Sequence, residues 1–155
     1  MKAENEMRLV FSSKSVNEGF SRTAVAAFAA LLDPTVEELS EIRTAVSEAV
    51  TNAIVHGYRD TVGSVFVTVS LLPERRVRIR VRDRGVGIAD VKLARQPLFT
   101  TGGEERAGLG FAVMESFMDR VHVRSRPGVG TTITLEKQIC GKRAEKGERN
   151  SRASE

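Results

Sequence analysis

The chain of 155 residues contains one cysteine, Cys140. No disulfide can close within it, which fits a reducing compartment. No apolar run approaches the ~18 residues that a membrane span needs. The opening stretch MKAENEMRLVF has no apolar h-region, so a secretory leader is not expected and a cytoplasmic location is. A G-x-x-x-x-G-K-[ST] phosphate loop is missing and so is G-x-G-x-x-G, which excludes the P-loop and dinucleotide fingerprints. No spacing suits zinc, and neither a nucleophilic cysteine nor a serine–histidine elbow is present. No repeat or linker divides the chain.

Charge is present but uneven. Of the formal net charge of +4, the segment from Lys137 onward carries +3, from six basic and three acidic residues. A nucleic-acid binder concentrates basic charge on a folded face. The folded part here is nearly neutral, so no direct nucleic-acid partner is expected. The final stretch GKRAEKGERNSRASE lacks large apolar residues and is expected to stay disordered. The expected organisation is one domain over residues 1–139, long enough to bury about 70% of its extended-chain surface, and a charged, solubilising tail over 140–155.

Hydrophobic periodicity predicts the order β-α-α-β-β-loop-α-β-β, with a short helix near Ala89 to Arg95. Met7, Leu9 and Phe11 alternate with polar partners as a first strand. Ser15 and Glu18 have capping-box spacing, and the helix they open has Phe20, Ala24, Ala27, Phe28 and Leu31 on one face. Asp33-Pro34 ends it. Thr35 and Glu38 form a second box, opening a long helix to about Val55 with Gly57 as its stop. Strands follow at Ser64–Leu71 and Arg76–Arg82, where Val77, Ile79 and Val81 alternate with arginines that occupy the solvated face. A helix over Gly108–Met118 and strands Arg120–Ser125 and Thr131–Lys137 complete the pattern. The fold class is α/β, a two-layer sandwich whose mixed, mostly antiparallel sheet carries helices on one face.

Three polar features stand out. Glu48, Asn52 and His56 are spaced i, i+4, i+8, so they line up on the shoulder of the apolar stripe Leu39, Ile42, Val46, Ala49, Val50 and Ala53. One reading is a solvated helix edge. The other is a cleft, with the small Ala49 and Ala53 leaving room for a ligand. An Asn52 amide oxygen suits magnesium, and a carboxylate one turn earlier could deprotonate an attacking hydroxyl, as phosphoryl transfer requires. His56 has no assigned catalytic role. Asp83-Arg84-Gly85-Val86-Gly87 follows a strand: either a simple turn, or an aspartate accepting from the exocyclic amine of adenine beside glycines that admit a flat base. Gly108-Leu109-Gly110 opens a helix, either as a tight turn or with free N–H groups for phosphate.

Order and spacing say more than the pieces. E-A-V-T-N-A-I-V-H-G-Y at 48–58, D-R-G-V-G at 83–87, G-L-G-F at 108–111 and G-T-T at 130–132 resemble the nucleotide boxes of the Bergerat-fold (gyrase/Hsp90/histidine-kinase/MutL) ATPases. A-R-Q-P-L-F-T-T at 94–101 and F-S-R at 20–22 narrow the resemblance to the sporulation anti-sigma F factors, a family of serine kinases, over about residues 7–137. The resemblance implies ATP and Mg2+ as cofactors. It implies Glu48 as general base, Asn52 as magnesium ligand, and Asp83 with Gly85, Gly87 and Thr131 around adenine. It also implies an ATP lid over Gln96–Ala107 with Thr101, Arg106 at the γ-phosphate, Gly108, Leu109 and Gly110 around the phosphates, and Arg22 as a contact for protein partners. Those partners are the sporulation sigma F factor and an anti-anti-sigma factor phosphorylated on serine, with the kinase acting as a homodimer. Two departures from the family pattern are a glycine-rich, shorter lid and Arg84 at a position that is commonly acidic. Related readings are an anti-sigma kinase of a general stress system and a sigma-binding module without transfer. A detached histidine-kinase domain needs a phosphoacceptor histidine that neither His56 nor His122 provides.

Overall fold

The computed structural model describes residues 1–96 and 104–141, with 104–107 described by backbone alone. Among the described residues five strands form one sheet: β1 (Asn5–Ser12), β2 (Ser64–Leu72), β3 (Arg76–Asp83), β4 (Arg120–Arg126) and β5 (Gly130–Gln138). Their spatial order is β1-β2-β3-β5-β4. Among the described residues every neighbouring pair is antiparallel, which corrects the expected mixed sheet. The physical reason is topological. The crossover from β3 through a helix to β4 makes those two strands run the same way, but β5 inserts between them and opposes both.

Helices α1 (Val16–Ala29), α2 (Val36–Thr51) and α4 (Glu104–Phe117) cover one face, and α3 (Val91–Ala94) is a single short turn. The core forms where the alternating strand residues meet the α2 stripe. Val77, Ile79, Ile42, Val46 and Val50 are fully buried, and such side chains contribute about 1.5–3 kcal/mol each on burial. Ala49 and Ala53 belong to this core; contrary to expectation they make no room for a ligand.

The second capping box forms as its spacing predicts. Thr35 Oγ1 accepts from the Glu38 N–H at 3.0 Å, and Glu38 Oε1 accepts from the Thr35 N–H at 3.0 Å. The first box does not form. Ser15 has φ −55° and ψ −32° and makes no side-chain cap bond. A cap needs an extended backbone to fold its side chain back, and Ser15 is already helical. The buried face of α1 also differs from the expected one. Ser21, Val25, Ala26 and Ala29 are buried, whereas Phe20 and Leu31 are 59% and 64% exposed. Small residues let α1 lie close against α2, and only Phe28 of the expected large residues packs on the core.

The α-helical part of α2 stops at Thr51, and Asn52–Gly57 continues as a wider π turn. Its signature is the bond from Tyr58 N–H to the Ala53 carbonyl at 3.0 Å, one residue longer than an α-helical step. At the other end of α2, Glu38 ties down residues beyond the expected domain boundary. Its carboxylate accepts from Cys140 N–H at 2.7 Å and Gly141 N–H at 3.0 Å. Arg75 donates to the carbonyls of Leu32, Asp33 and Cys140. The rest of the expected tail lies outside the described residues.

Burial pushes the Glu38 carboxyl up, but hydrogen bonds from Thr35, Cys140 and Gly141 outweigh it and hold the pKa below its ordinary 4.5. Glu38→Ala is expected to cost about 1–2 kcal/mol at neutral pH, the range for a lost cap at a partly exposed position. A group with a lowered folded pKa stabilises above its unfolded value and loses that contribution as pH falls through the folded one. The gap in thermal midpoint between the two proteins should therefore close as pH drops below 4.5; a gap constant with pH would contradict the assignment.

Candidate active site

The end of β3 and the end of α2 meet through backbone. A Cβ on Gly85 would stand 2.0 Å from the Gly57 carbonyl oxygen, and that oxygen accepts from the Val86 N–H at 3.0 Å. Neither segment could approach so closely with a side chain between them. Tyr58 pins the same seam: its hydroxyl donates to the Ser64 carbonyl and accepts from the Arg84 N–H, both at 2.7 Å. Gly87, at φ +74°, turns the chain back toward the β4–β5 hairpin, a conformation that favours glycine.

Asp83 closes β3 and is 4% exposed. Burial is the largest influence on its carboxyl and raises the pKa above the ordinary 3.8, while the N–H groups of Gly85 and Thr131 pull the other way. The Gly85 bond is 2.9 Å. Gly57 packs directly on this carboxyl: a Cβ there would lie 2.8 Å from Cγ. Thr131 pairs with Asp83 on one side and Ser125 on the other. Its hydroxyl lies 2.8 Å from Ser125 Oγ, which accepts from the Ile88 N–H at 2.7 Å.

Beside this seam lies a hollow of about 410 Å3 lined by Asn52, His56, Gly57, Gly87, Ile88 and Thr131, among others. Its size falls within the usual range for small-molecule sites. Asp83 and Gly85 do not line it; they stand behind Gly57 and Thr131. A second hollow of about 340 Å3 is lined by Glu48, Asn52, His56, Leu109 and Gly110. Asn52, 6% exposed, and His56 are walls common to both. The polar line on α2 therefore faces a cleft. Glu48 leans on α4, where a Cβ on Gly110 would meet its Oε2 at 2.9 Å.

Glu48 also borders a third hollow of about 540 Å3, shared with Arg22, Arg43 and Ser47. Arg22 faces Glu18 at 3.8 Å. Yet among the described residues Arg22 Nε and Glu18 Oε1 are buried without a hydrogen-bond partner.

One expected local feature is corrected. α4 begins at Glu104, so Gly108, Leu109 and Gly110 lie within the helix and do not open it. The glycines serve close packing here: a Cβ on Gly108 would meet the Gln96 carbonyl oxygen at 2.4 Å. Arg106 is placed by its backbone in the first turn of α4. Thr101 and most of the expected lid lie outside the described residues. Sequence reasoning missed Tyr58, whose only signal was its place at the end of the α2 motif, and Ser125 and Arg43, which carried no signal.

Fold and cleft together define a histidine kinase-like ATPase domain, and the family model of that description matches residues 14–137. Such a domain implies ATP binding. Within this class the chain belongs to the anti-sigma F factor family. It is 56% identical over 142 residues to the anti-sigma F factor of Geobacillus thermodenitrificans, covering 90% of this chain and 97% of that one. It is 53% identical over 143 residues to that of Bacillus subtilis, covering 91% and 97%. Among solved structures it resembles the RsbU and RsbW domains of a Mycobacterium tuberculosis protein, with a TM-score of 0.63 at 20% identity over 87% of this chain and 32% of that one. A histidine kinase domain from Erythrobacter litoralis gives 0.52 at 20% identity over 79% and 61%. These two likenesses concern the fold. Among the described residues no helix is long and apolar enough to cross a membrane.

The buried carboxyl makes a pH prediction. A raised folded pKa means that Asp83 costs stability once it ionises: its contribution is full below 3.8 and is lost as pH rises through the folded value. Without nucleotide, Asp83→Asn should melt at least as high as the wild type at pH 7. That relative advantage should shrink as pH falls toward 3.8. A variant whose deficit at pH 7 exceeds its deficit at low pH would contradict the desolvated carboxylate.

Proposed function

We propose that the chain is an ATP-dependent protein serine kinase and anti-sigma factor. It withholds the sporulation sigma F factor from RNA polymerase and phosphorylates a serine of an anti-anti-sigma factor, acting as a cytoplasmic homodimer. The observation that carries this reading is the place of Glu48. Its side chain borders the hollow shared with Asn52 and Gly110 on one side and the hollow shared with Arg22 and Arg43 on the other. A base so placed can meet a nucleotide from within the cleft and a protein hydroxyl from outside it.

The adenine ring takes the hollow between Gly87, Ile88 and Thr131, with its exocyclic amine toward Thr131 and the Asp83 carboxyl behind it. The triphosphate then runs past Asn52 toward α4. Asn52 fits magnesium: its amide oxygen is a hard donor at the junction of the two hollows. Among the described residues no cluster of three His, Cys, Asp or Glu offers a competing metal site. Magnesium held there by Asn52 would supply neutralisation of phosphate charge. Glu48 accepts the proton of the incoming serine hydroxyl as its oxygen bonds the γ-phosphorus and the bond to the β–γ bridging oxygen breaks, releasing ADP. Arg106 and Thr101 are assigned to the γ-phosphate and lid by family resemblance. Arg106 suits the charge, because a guanidinium fork matches phosphate oxygens. Arg22, at the outer hollow, is the contact for protein partners. The histidine-kinase domains that share the fold act on histidine; the identities above 50% to anti-sigma F factors favour serine.

Labelled ATP incubated with the purified anti-anti-sigma factor tests the reading, phosphoserine being the expected product. Glu48→Gln should bind ATP within about threefold of wild type yet transfer phosphate about a hundred- to ten-thousandfold more slowly. Unchanged transfer would remove Glu48 from the role of base. Asn52→Ala should lose the magnesium-dependent part of its ATP affinity, measured by calorimetry with and without the cation. Equal loss in both conditions would speak against a metal ligand.

A further inference from the structure

Among the described residues no element covers the face of the sheet turned away from the helices, and its side chains form an ordered array. Cross-strand register sets three rungs. Val10, Phe66, Arg82, Thr132 and Arg124 share one; Arg8, Thr68, Arg80, Thr134 and His122 the next; Glu6, Ser70, Arg78, Glu136 and Arg120 the third. Arginines therefore run in a column down β3, and Arg120 and Arg124 flank His122 in a second column down β4. Between the columns lies β5 with Thr132, Thr134 and Glu136. These residues border a trough of about 1050 Å3. The near-neutral charge of the folded part conceals this segregation, because the balancing acids lie mostly elsewhere.

The array keeps its charge. Among the described residues Arg80, Arg120 and Arg124 have no ion-pair partner; Glu136 pairs with Arg76 at 3.5 Å, and Glu6 with Arg8 at 3.0 Å, both toward one end. At the other end Arg82 and Arg84 each stack on the Phe66 ring, 4.9 Å from its centroid. An aromatic ring orders guanidinium groups without neutralising them.

We propose that this trough binds single-stranded nucleic acid without sequence preference. Successive arginines on one strand stand about 7 Å apart, and the two columns, two strands apart, about 10 Å. That width takes one phosphate chain, with guanidinium planes on either side for bases to stack on. A duplex is too broad to enter. Among the described residues no Asn or Gln lines the trough to read base edges. A protein partner is a poorer occupant, since a protein interface carries an apolar, aromatic centre and here the one aromatic, Phe66, is covered by two arginines. A second copy of the chain would set arginine columns against each other. The proposal is independent of the kinase reading.

Fluorescence polarisation of the full-length protein with a labelled oligo-dT of about fifteen nucleotides tests it. Binding at low salt should weaken steeply with added salt, log affinity against log salt having a slope of about −3 for four or five phosphates contacted. The pair Arg80→Glu with Arg124→Glu should weaken binding at least tenfold while ATP binding and the thermal midpoint hold. Should that pair be unstable, Arg80→Gln with Arg124→Gln should still weaken it at least threefold. Binding unaffected by either pair would place it on the basic C-terminal segment and overturn the proposal. So would no binding at low salt, equal competition by a duplex or by polyglutamate, or a change confined to oligomeric state.

Discussion

The Gly57 carbonyl, held between the Val86 N–H and the bare backbone of Gly85, sets the geometry of the cleft. It fixes where the end of α2 stands relative to the end of β3. Asn52 and Glu48 depend on it, because they occupy the turns of α2 just before that contact. Asp83 depends on it too: Gly57 is the surface that takes its carboxyl out of water. The π turn belongs to the same constraint. Its bond from Tyr58 N–H to the Ala53 carbonyl closes the helix at the residue that makes this contact.

Tyr58 and the Thr131–Ser125 pair work as braces around this contact. The tyrosine hydroxyl is donor to one segment and acceptor from another, so a single side chain satisfies two backbone groups at a junction that regular hydrogen bonding leaves open. On the other flank Thr131 stands between Asp83 and Ser125, and Ser125 in turn holds the backbone at Ile88. The cleft is thus built on elements whose backbone is already tied, which keeps its polar groups oriented before any ligand arrives.

β3 has two different faces. Its valines and isoleucine make the core, and its arginines make the open surface. The alternation that let the strand be read from sequence also separates greasy from charged so completely that net charge ceases to describe either side. On the helical face the buried Asp83 carboxyl is held by the N–H groups of Gly85 and Thr131. On the open face the arginines are repeated at the strand pitch.

Much of the fold was legible from local pattern. Alternation marked the strands, the Thr35–Glu38 box marked the start of α2, and the i, i+4, i+8 line of Glu48, Asn52 and His56 marked the cleft wall, because each depends on residues a few positions apart. The ordered motifs, read as a set, pointed to the family. Where several segments meet, local pattern failed. Ser15 and Glu18 have capping spacing but the wrong backbone. Phe20 and Leu31 have core chemistry but are held off by the small residues that bring α1 onto α2. Gly108 and Gly110 serve helix packing in the middle of α4, which no count of preceding residues reveals. The sequence by itself determined which residues could be buried and which could bear chemistry, since those are properties of side chains and their period. Only the tertiary structure decided that Gly57 meets Gly85, that Glu48 stands between two hollows and that three rungs of arginines share one face, because contacts between distant segments are set by how the layers close.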